Sequence, residues 1–177
     1  MAVRPILEYP DERLRLRAEP AARCDADLAR LADDLLDTLA ATAGVALSAP
    51  QIGRAVRMAV IAAGEEPGRP AVYVNPVIMA RSLPGMVEES CLSLPGIVGS
   101  VWRATRVTVR AEDPAGVRFE RRLEGLPAVC LQHEIDHLDG KLFIDRLWPL
   151  RRLLVRSRLN EMARRAKLAA GSLAGAA

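Results

Sequence analysis

Leu126-Pro-Ala-Val-Cys-Leu-Gln-His-Glu-Ile-Asp-His-Leu-Asp139 is the segment on which the fold reading turns. Pro127 suits a first helical turn and Gly140 suits a C-terminal stop, so the spacing predicts a helix over Leu126 to Asp139. Leu126, Ala128, Val129, Cys130 and Leu131 make its first turns apolar nearly all round. Such a helix is buried, here against a sheet. His133 and His137 are the only two histidines of the chain. Four residues apart, they stand one above the other on one helix face, where two imidazoles can share one ion. Glu134 lies one step round, close to a water on that ion. The bland reading is a chance match with satisfied histidines. Burial argues against it, because an unpaired imidazole and carboxylate in an apolar setting are costly.

Working outward, Asp25 to Thr42 reads as an amphipathic helix. Leu28, Leu31, Leu35, Leu36 and Leu39 mark its apolar face, Asp25 can cap its start and Gly44 ends it. Arg57–Ile61 and Ala71–Val74 read as short strands, with the loop Gly64–Pro70 between them. Thr105–Ala111 alternates, with Val107, Val109 and Ala111 on one face. Asp113-Pro-Ala-Gly116 is a turn and Val117–Leu123 returns, which predicts a hairpin. Residues 1–24, with Pro5, Pro10 and Pro20, read as an irregular arm. A third helix runs from about Pro149 to Ala170, and 171–177 form a frayed tail. The expected fold is α+β: mixed or antiparallel sheets around a buried central helix carrying the two histidines, plus a C-terminal α-helix. Neither repeats nor an interior linker divide the chain, so 1–177 reads as one domain, a size that buries a real core.

Two histidines need a third ligand to make a stable catalytic metal site. Cys130 faces the same way but lies about 7.5 Å below the level of the ion, at 1.5 Å per residue. It suits a pocket wall or the core. A downstream histidine fails, because Phe143 stands where it would fall. Glu161, after Asn160, lies in the most basic stretch of the chain and suits a solvated partner for arginines. Cys91 sits in Glu88-Glu-Ser-Cys-Leu-Ser-Leu-Pro-Gly96, a loop rich in turn residues. A thiolate beside a metal loses its proton readily, and soft sulfur suits both zinc and ferrous iron. Chemistry therefore favours Cys91 over Cys24 in the arm, while composition alone leaves an ordinary core cysteine equally open.

The net charge of +3 is unevenly placed. From Leu150 to Leu168, six arginines and Lys167 face one acid, Glu161, so this segment carries +6 and the rest −3. Three cysteines without paired spacing argue against a disulfide framework and for a reducing cytoplasm. The N-terminus has no apolar core of a signal peptide, and no apolar run is long enough to span a bilayer.

Three segments together resemble peptide deformylase: Gly44-Val-Ala-Leu-Ser-Ala-Pro-Gln51, Glu89-Ser-Cys-Leu-Ser93 and Gln132-His-Glu-Ile-Asp-His137. The family patterns are Gly-x-Gly-Leu-Ala-Ala-x-Gln, Glu-Gly-Cys-Leu-Ser and Gln-His-Glu-x-Asp-His, and their order and separations fit. The resemblance implies that Cys91, His133 and His137 bind the metal and that Glu134 is the general acid and base. It also implies that Gln51 and the Leu92 N–H polarise the formyl carbonyl. The implied ion is one divalent metal, Fe2+ in the cell, with Zn2+, Ni2+ or Co2+ possible. The implied reaction is hydrolysis of the N-formyl group from the methionine of a nascent chain, releasing formate. The implied peptide pairs with the strand of the first motif, at Val45 and Ala46. Val129 and Cys130 are placed to line a methionine pocket, with ordinary core packing equally open.

Three positions depart from the patterns: Ala46 and Ser90 stand for glycine, and Ser48 for alanine. A glycine serves where φ is positive or a ligand comes close, so these changes bear on substrate preference. A deformylase-like protein with altered preference, and a different metallopeptidase using Glu161, are the alternatives. Leu150, Leu153, Leu154, Leu159, Met162 and Ala166 make an apolar stripe on the last helix. Packing on its own domain with a solvated basic face is one reading. Docking on the ribosome, which the resemblance implies, is the other, without sequence-specific nucleic-acid recognition.

Overall fold

The computed structural model describes residues 2–63 and 70–174. In chain order it contains helix α1 (Ala26–Ala40) and strands β1 (Ala46–Ser48), β2 (Met58–Ile61), β3 (Ala71–Arg81) and β4 (Pro84–Ser90). Then follow β5 (Val98–Ala104), β6 (Arg106–Glu112), β7 (Arg118–Glu124) and helices α2 (Leu126–Leu138) and α3 (Pro149–Ala174). This is the α+β class expected. One sheet has the order β1-β2-β3-β6-β7 and the other is the hairpin β4-β5. Every strand pairing is antiparallel. Residues 64–69 of the expected loop Gly64–Pro70 and residues 175–177 of the expected tail lie outside the described residues.

The local chemistry explains most boundaries. Asp25 caps α1 by accepting from the N–H groups of Asp27 and Leu28. Leu28, Leu31, Leu35 and Leu39 are buried against β1 and β2, with Leu36 half-buried beside them. Asp113 accepts from the N–H groups of Ala115 and Val117, and Gly116 takes φ +83°, which turns β6 into β7. The third strand is longer than expected. A proline reads as a strand stop, but Pro76 sits at a register shift between Val74 and Val77, beside Asn75 at φ +50°. A bulge has no ladder bond for the missing N–H to break. The β4-β5 hairpin was not expected; its outward residues are mixed in polarity, and that masks the period-2 signal.

Helix α2 packs between β1, β2, β6 and β7 on one side and β5 on the other. Its buried residues run from Ala128 through Leu138. The arm is irregular, yet it is tied at three places. Leu7 N–H donates to Gln51 O at 2.7 Å, Tyr9 N–H to Ser93 O at 2.9 Å and Ala18 N–H to Leu138 O at 2.9 Å. Among the described residues, helix α3 makes its apolar contacts by its middle, while Arg152 near its start pairs with Asp145 at 3.8 Å. Leu159 is buried and Val155 and Met162 pack beside it, whereas Leu150, Leu153 and Leu154 are more than half exposed. The apolar stripe is therefore divided between an exposed start and a docked middle.

Candidate functional site

The two imidazoles of α2 meet a sulfur from the loop after β4. Ligand atoms of Cys91, His133 and His137 all lie within 4.8 Å of one another, and all three residues are buried. Cys91 Sγ is 3.2 Å from His137 Nε2. Donors bound at about 2.0–2.3 Å around one ion stand slightly farther apart than this, so the set fits a single metal. The rings of His133 and His137 are edge to face at 4.9 Å, and Phe143 stacks on His133. Glu161, by contrast, lies on the surface, where hydrogen bonds from Arg164 and Arg165 hold its carboxyl at about 2. It is not part of the cluster.

A buried charge network stands behind the histidines. His133 Nδ1 lies 2.8 Å from Glu89 Oε2. Arg103 donates to both Glu89 oxygens, at 2.6 and 3.0 Å, and to Asp136 Oδ2 at 2.6 Å. Burial opposes ionisation of Glu89, but the His133 and Arg103 hydrogen bonds outweigh it and hold the carboxyl at about 2. Burial pushes the Glu134 carboxyl up. Glu134 Oε2 and His137 Nδ1 are buried without a hydrogen-bond partner among the described residues. An orphaned carboxylate oxygen on the cleft wall, as at Glu134, is expected where a reacting species belongs. Burial, reinforced by the charges of Glu134 and Glu89, pushes the Cys130 thiol up to about 12. Cys130 lies outside the cluster of Cys91, His133 and His137 and lines the cleft beside it.

The first motif supplies the next group. Ser48 N–H and Ser48 Oγ both reach Gln51 Oε1, at 2.9 and 3.0 Å. This reach-back onto the start of a short helical turn fixes the amide. Gln51 Nε2 then faces Ser93 Oγ at 3.2 Å and Cys91 Sγ at 3.7 Å. The Leu92 N–H donates to no acceptor among the described residues. Ala46 and Ser90 both avoid positive φ, so neither replacement strains the backbone. Ala46 pairs with Ile61 on the edge strand β1, and Ser90 pairs with Val98.

These groups open on a cleft of about 560 Å³. Val45, Ala46, Gln51, Cys91, Leu92, Val129, Cys130, His133 and Glu134 all line it, so the residues singled out from the sequence converge, with His137 buried behind. Sequence reasoning missed Arg103 and gave Glu89 and Asp136 no role. Residues 98–104 show no clear period of two in polarity, so the segment was not read as a strand and no local signal marked Arg103.

The polypeptide deformylase family model matches residues 3–153. The peptide deformylase of Alkalilimnicola ehrlichii is 46% identical, covering 100% of both chains. That of Xylella fastidiosa is 44% identical over 94% of this chain and 99% of its own. Among solved structures, a peptide deformylase from Legionella pneumophila gives a TM-score of 0.85 at 46% identity, over 94% of this chain and 98% of its own. One from Plasmodium falciparum gives 0.87 at 34% identity, over 93% and 98%.

Proposed function

The chain belongs to the polypeptide deformylase family, and we propose that Cys91, His133 and His137 hold one divalent metal while Glu134 moves the proton. The enzyme removes the N-formyl group from the methionine of nascent chains and releases formate. The observation that carries the site assignment is the convergence of one thiol and two imidazoles within 4.8 Å beside a buried carboxylate.

When bound, the ion supplies Lewis acidity and acidifies a water. Glu134 takes the proton of the attacking water and returns it to the departing amine, so the peptide leaves neutral. Gln51 Nε2 and the Leu92 N–H donate to the oxygen of the formyl group as it gains charge. Gln51 comes ready oriented, because its Oε1 is already held by Ser48. The peptide adds to the free edge of β1, where Val45 and Ala46 flank the cleft, and its methionine side chain packs against Val129 and Cys130. Glu89 and Arg103 keep the His133 ring turned so that its other nitrogen faces the ion.

Ferrous iron is the proposed cellular metal, with zinc, nickel or cobalt able to replace it; the soft thiolate supports iron and zinc alike. A cytoplasmic location is supported by the nascent-chain substrate and by three free cysteines. No helix among the described residues is long and apolar enough to cross a membrane. The basic face of α3 supports ribosome docking through phosphate attraction. The decisive test is formate release from a formyl-Met peptide by anaerobically prepared, iron-loaded protein. Turnover that Glu134→Gln lowers by about 10²- to 10⁴-fold is expected; absence of turnover with iron bound in the unaltered protein overturns the reading.

A further inference from the structure

Helix α2 has a second working face. Val129, Cys130, His133 and Glu134 line the cleft, whereas Gln132, Ile135, Asp136 and Asp139 line a separate cavity of about 360 Å³. The spacing i, i+3, i+4, i+7 puts this second set on one face. At about 100° per residue that face turns away from the first. The end of β3, the start of β4 and the end of β5 close the cavity at Arg81, Pro84 and Trp102.

The charges of this cavity are unequal. Asp136 and Asp139 are the acids that line it, and both are occupied. Asp136 accepts from Arg103 at 2.6 Å and from Arg146 Nη2 at 2.5 Å, and Asp139 accepts from Arg57 at 2.8 Å. Arg81 and Lys141 line the same cavity, and their side chains make no hydrogen bond or ion pair among the described residues. Arg146 spends Nε and Nη2 on Asp136, so its Nη1 has no partner among them either. Once Glu89, which also holds Arg103, and Arg57 are counted, five cations meet three acids and two positive charges are in excess. Ile78, Pro84, Ile135 and the exposed Trp102 supply the apolar part of the wall.

We propose that this cavity behind the metal site is a second ligand site, taking a phosphate monoester on a flat ring, of the nucleoside monophosphate class. Arg81, Lys141 and Arg146 Nη1 hold the phosphate, whose charge of about −2 matches the excess. The ring lies against Trp102 and Ile135, because every base offers a face to an aromatic side chain. The volume falls in the range of small-molecule sites, about 300–1,000 Å³. The site shares no lining residue with the cleft, so it stands apart from the deformylase reading.

The test uses metal-loaded protein carrying Trp148→Phe, which leaves Trp102 as the sole tryptophan. Adenosine 5′-monophosphate is expected to change Trp102 emission saturably, adenosine to leave it unchanged, and inorganic phosphate to compete. Arg81→Ala and Lys141→Ala should each raise Kd by about 3- to 10-fold, the range of a partly exposed charge-assisted contact. Arg81→Glu combined with Lys141→Glu should abolish binding. Formate release should stay unchanged in these variants, because neither residue lines the cleft. Arg122→Ala, which removes an exposed cation outside the cavity, should leave Kd unchanged. No saturable change, equal binding of adenosine, binding that survives the double glutamate variant, or an equal loss in Arg122→Ala overturns the proposal.

Discussion

Glu89 Oε2 accepts from His133 Nδ1 at 2.8 Å, and this contact decides which nitrogen of the ring is left for a metal. Partners of this kind fix the tautomer and raise ligand basicity, and their loss costs roughly 10- to 100-fold in metal affinity. Glu89→Gln is therefore expected to weaken metal binding by that factor while keeping the fold. Competition with a chelating dye measures it. Unchanged affinity in a folded Glu89→Gln protein would show that the contact is only structural.

The same carboxyl makes stability depend on acid. Its folded value of about 2 lies below the ordinary 4.5, because burial is outweighed by bonds from His133 and Arg103. A depressed carboxyl stabilises the fold above its unfolded value and loses that contribution as pH falls. Glu89 thus contributes on the order of 3 kcal/mol at neutral pH, lost progressively between pH 4.5 and 2. Urea midpoints of metal-free protein, taken from pH 7 down to pH 3, should fall more steeply for the unaltered chain than for Glu89→Gln. Parallel curves refute it.

Arg103 lies between two acids, Glu89 and Asp136, and is 2% exposed. Arg103→Met leaves two buried carboxylates without their shared cation. Breaking a buried pair by removing one partner costs about 3–5 kcal/mol. Chemical denaturation should register a loss of that size. A change under about 1 kcal/mol would mean that Arg146, which also binds Asp136, takes over.

Gln51 and Glu134 separate binding from chemistry. Gln51→Leu removes one proposed donor to the developing oxyanion and is expected to lower kcat by about 10²- to 10³-fold. Glu134→Gln removes the proposed proton carrier and should cost about 10²- to 10⁴-fold. Both should retain metal, whereas Cys91→Ala should lose it and Glu161→Ala should not. Elemental analysis beside formate release distinguishes them. Metal retained by Cys91→Ala and lost by Glu161→Ala would transfer the third ligand to Glu161.

Helix α2 was legible because burial, proline and glycine agreed with the histidine spacing. Cys91 was not legible by local pattern, because a loop carries no period and its partners lie more than 40 residues away; the resemblance supplied it. Arg103 escaped because its strand mixes Trp102, Ser100 and Val98 on the outward face. Pro76 hid the far half of β3, since a bulge cannot be read from one strand alone. The irregular arm hid the most. Its backbone joins Gln51, Ser93 and Leu138, one residue at or beside each motif, through N–H groups that side-chain patterns do not reveal.

Gly140 tests that role of the arm. It ends the metal-site helix at φ +70°, and an added Cβ would stand 2.4 Å from Arg15 O and 2.9 Å from Arg15 C. Backbone atoms cannot swing away as a side chain does. Gly140→Ala must therefore pay for a left-handed alanine, about 1–3 kcal/mol, and also push the arm off the end of α2. For a chain of this length the first effect alone lowers Tm by about 2–12 °C. Because Ala18 N–H binds Leu138 O next to His137, metal affinity should fall with Tm. Gly85 provides the contrast: without positive φ, its added Cβ would meet only Thr105 Cγ2 at 3.4 Å. Gly85→Ala should shift neither quantity appreciably. Equal melting of the two variants would mean that the arm yields freely at Arg15 and does not hold the helix end.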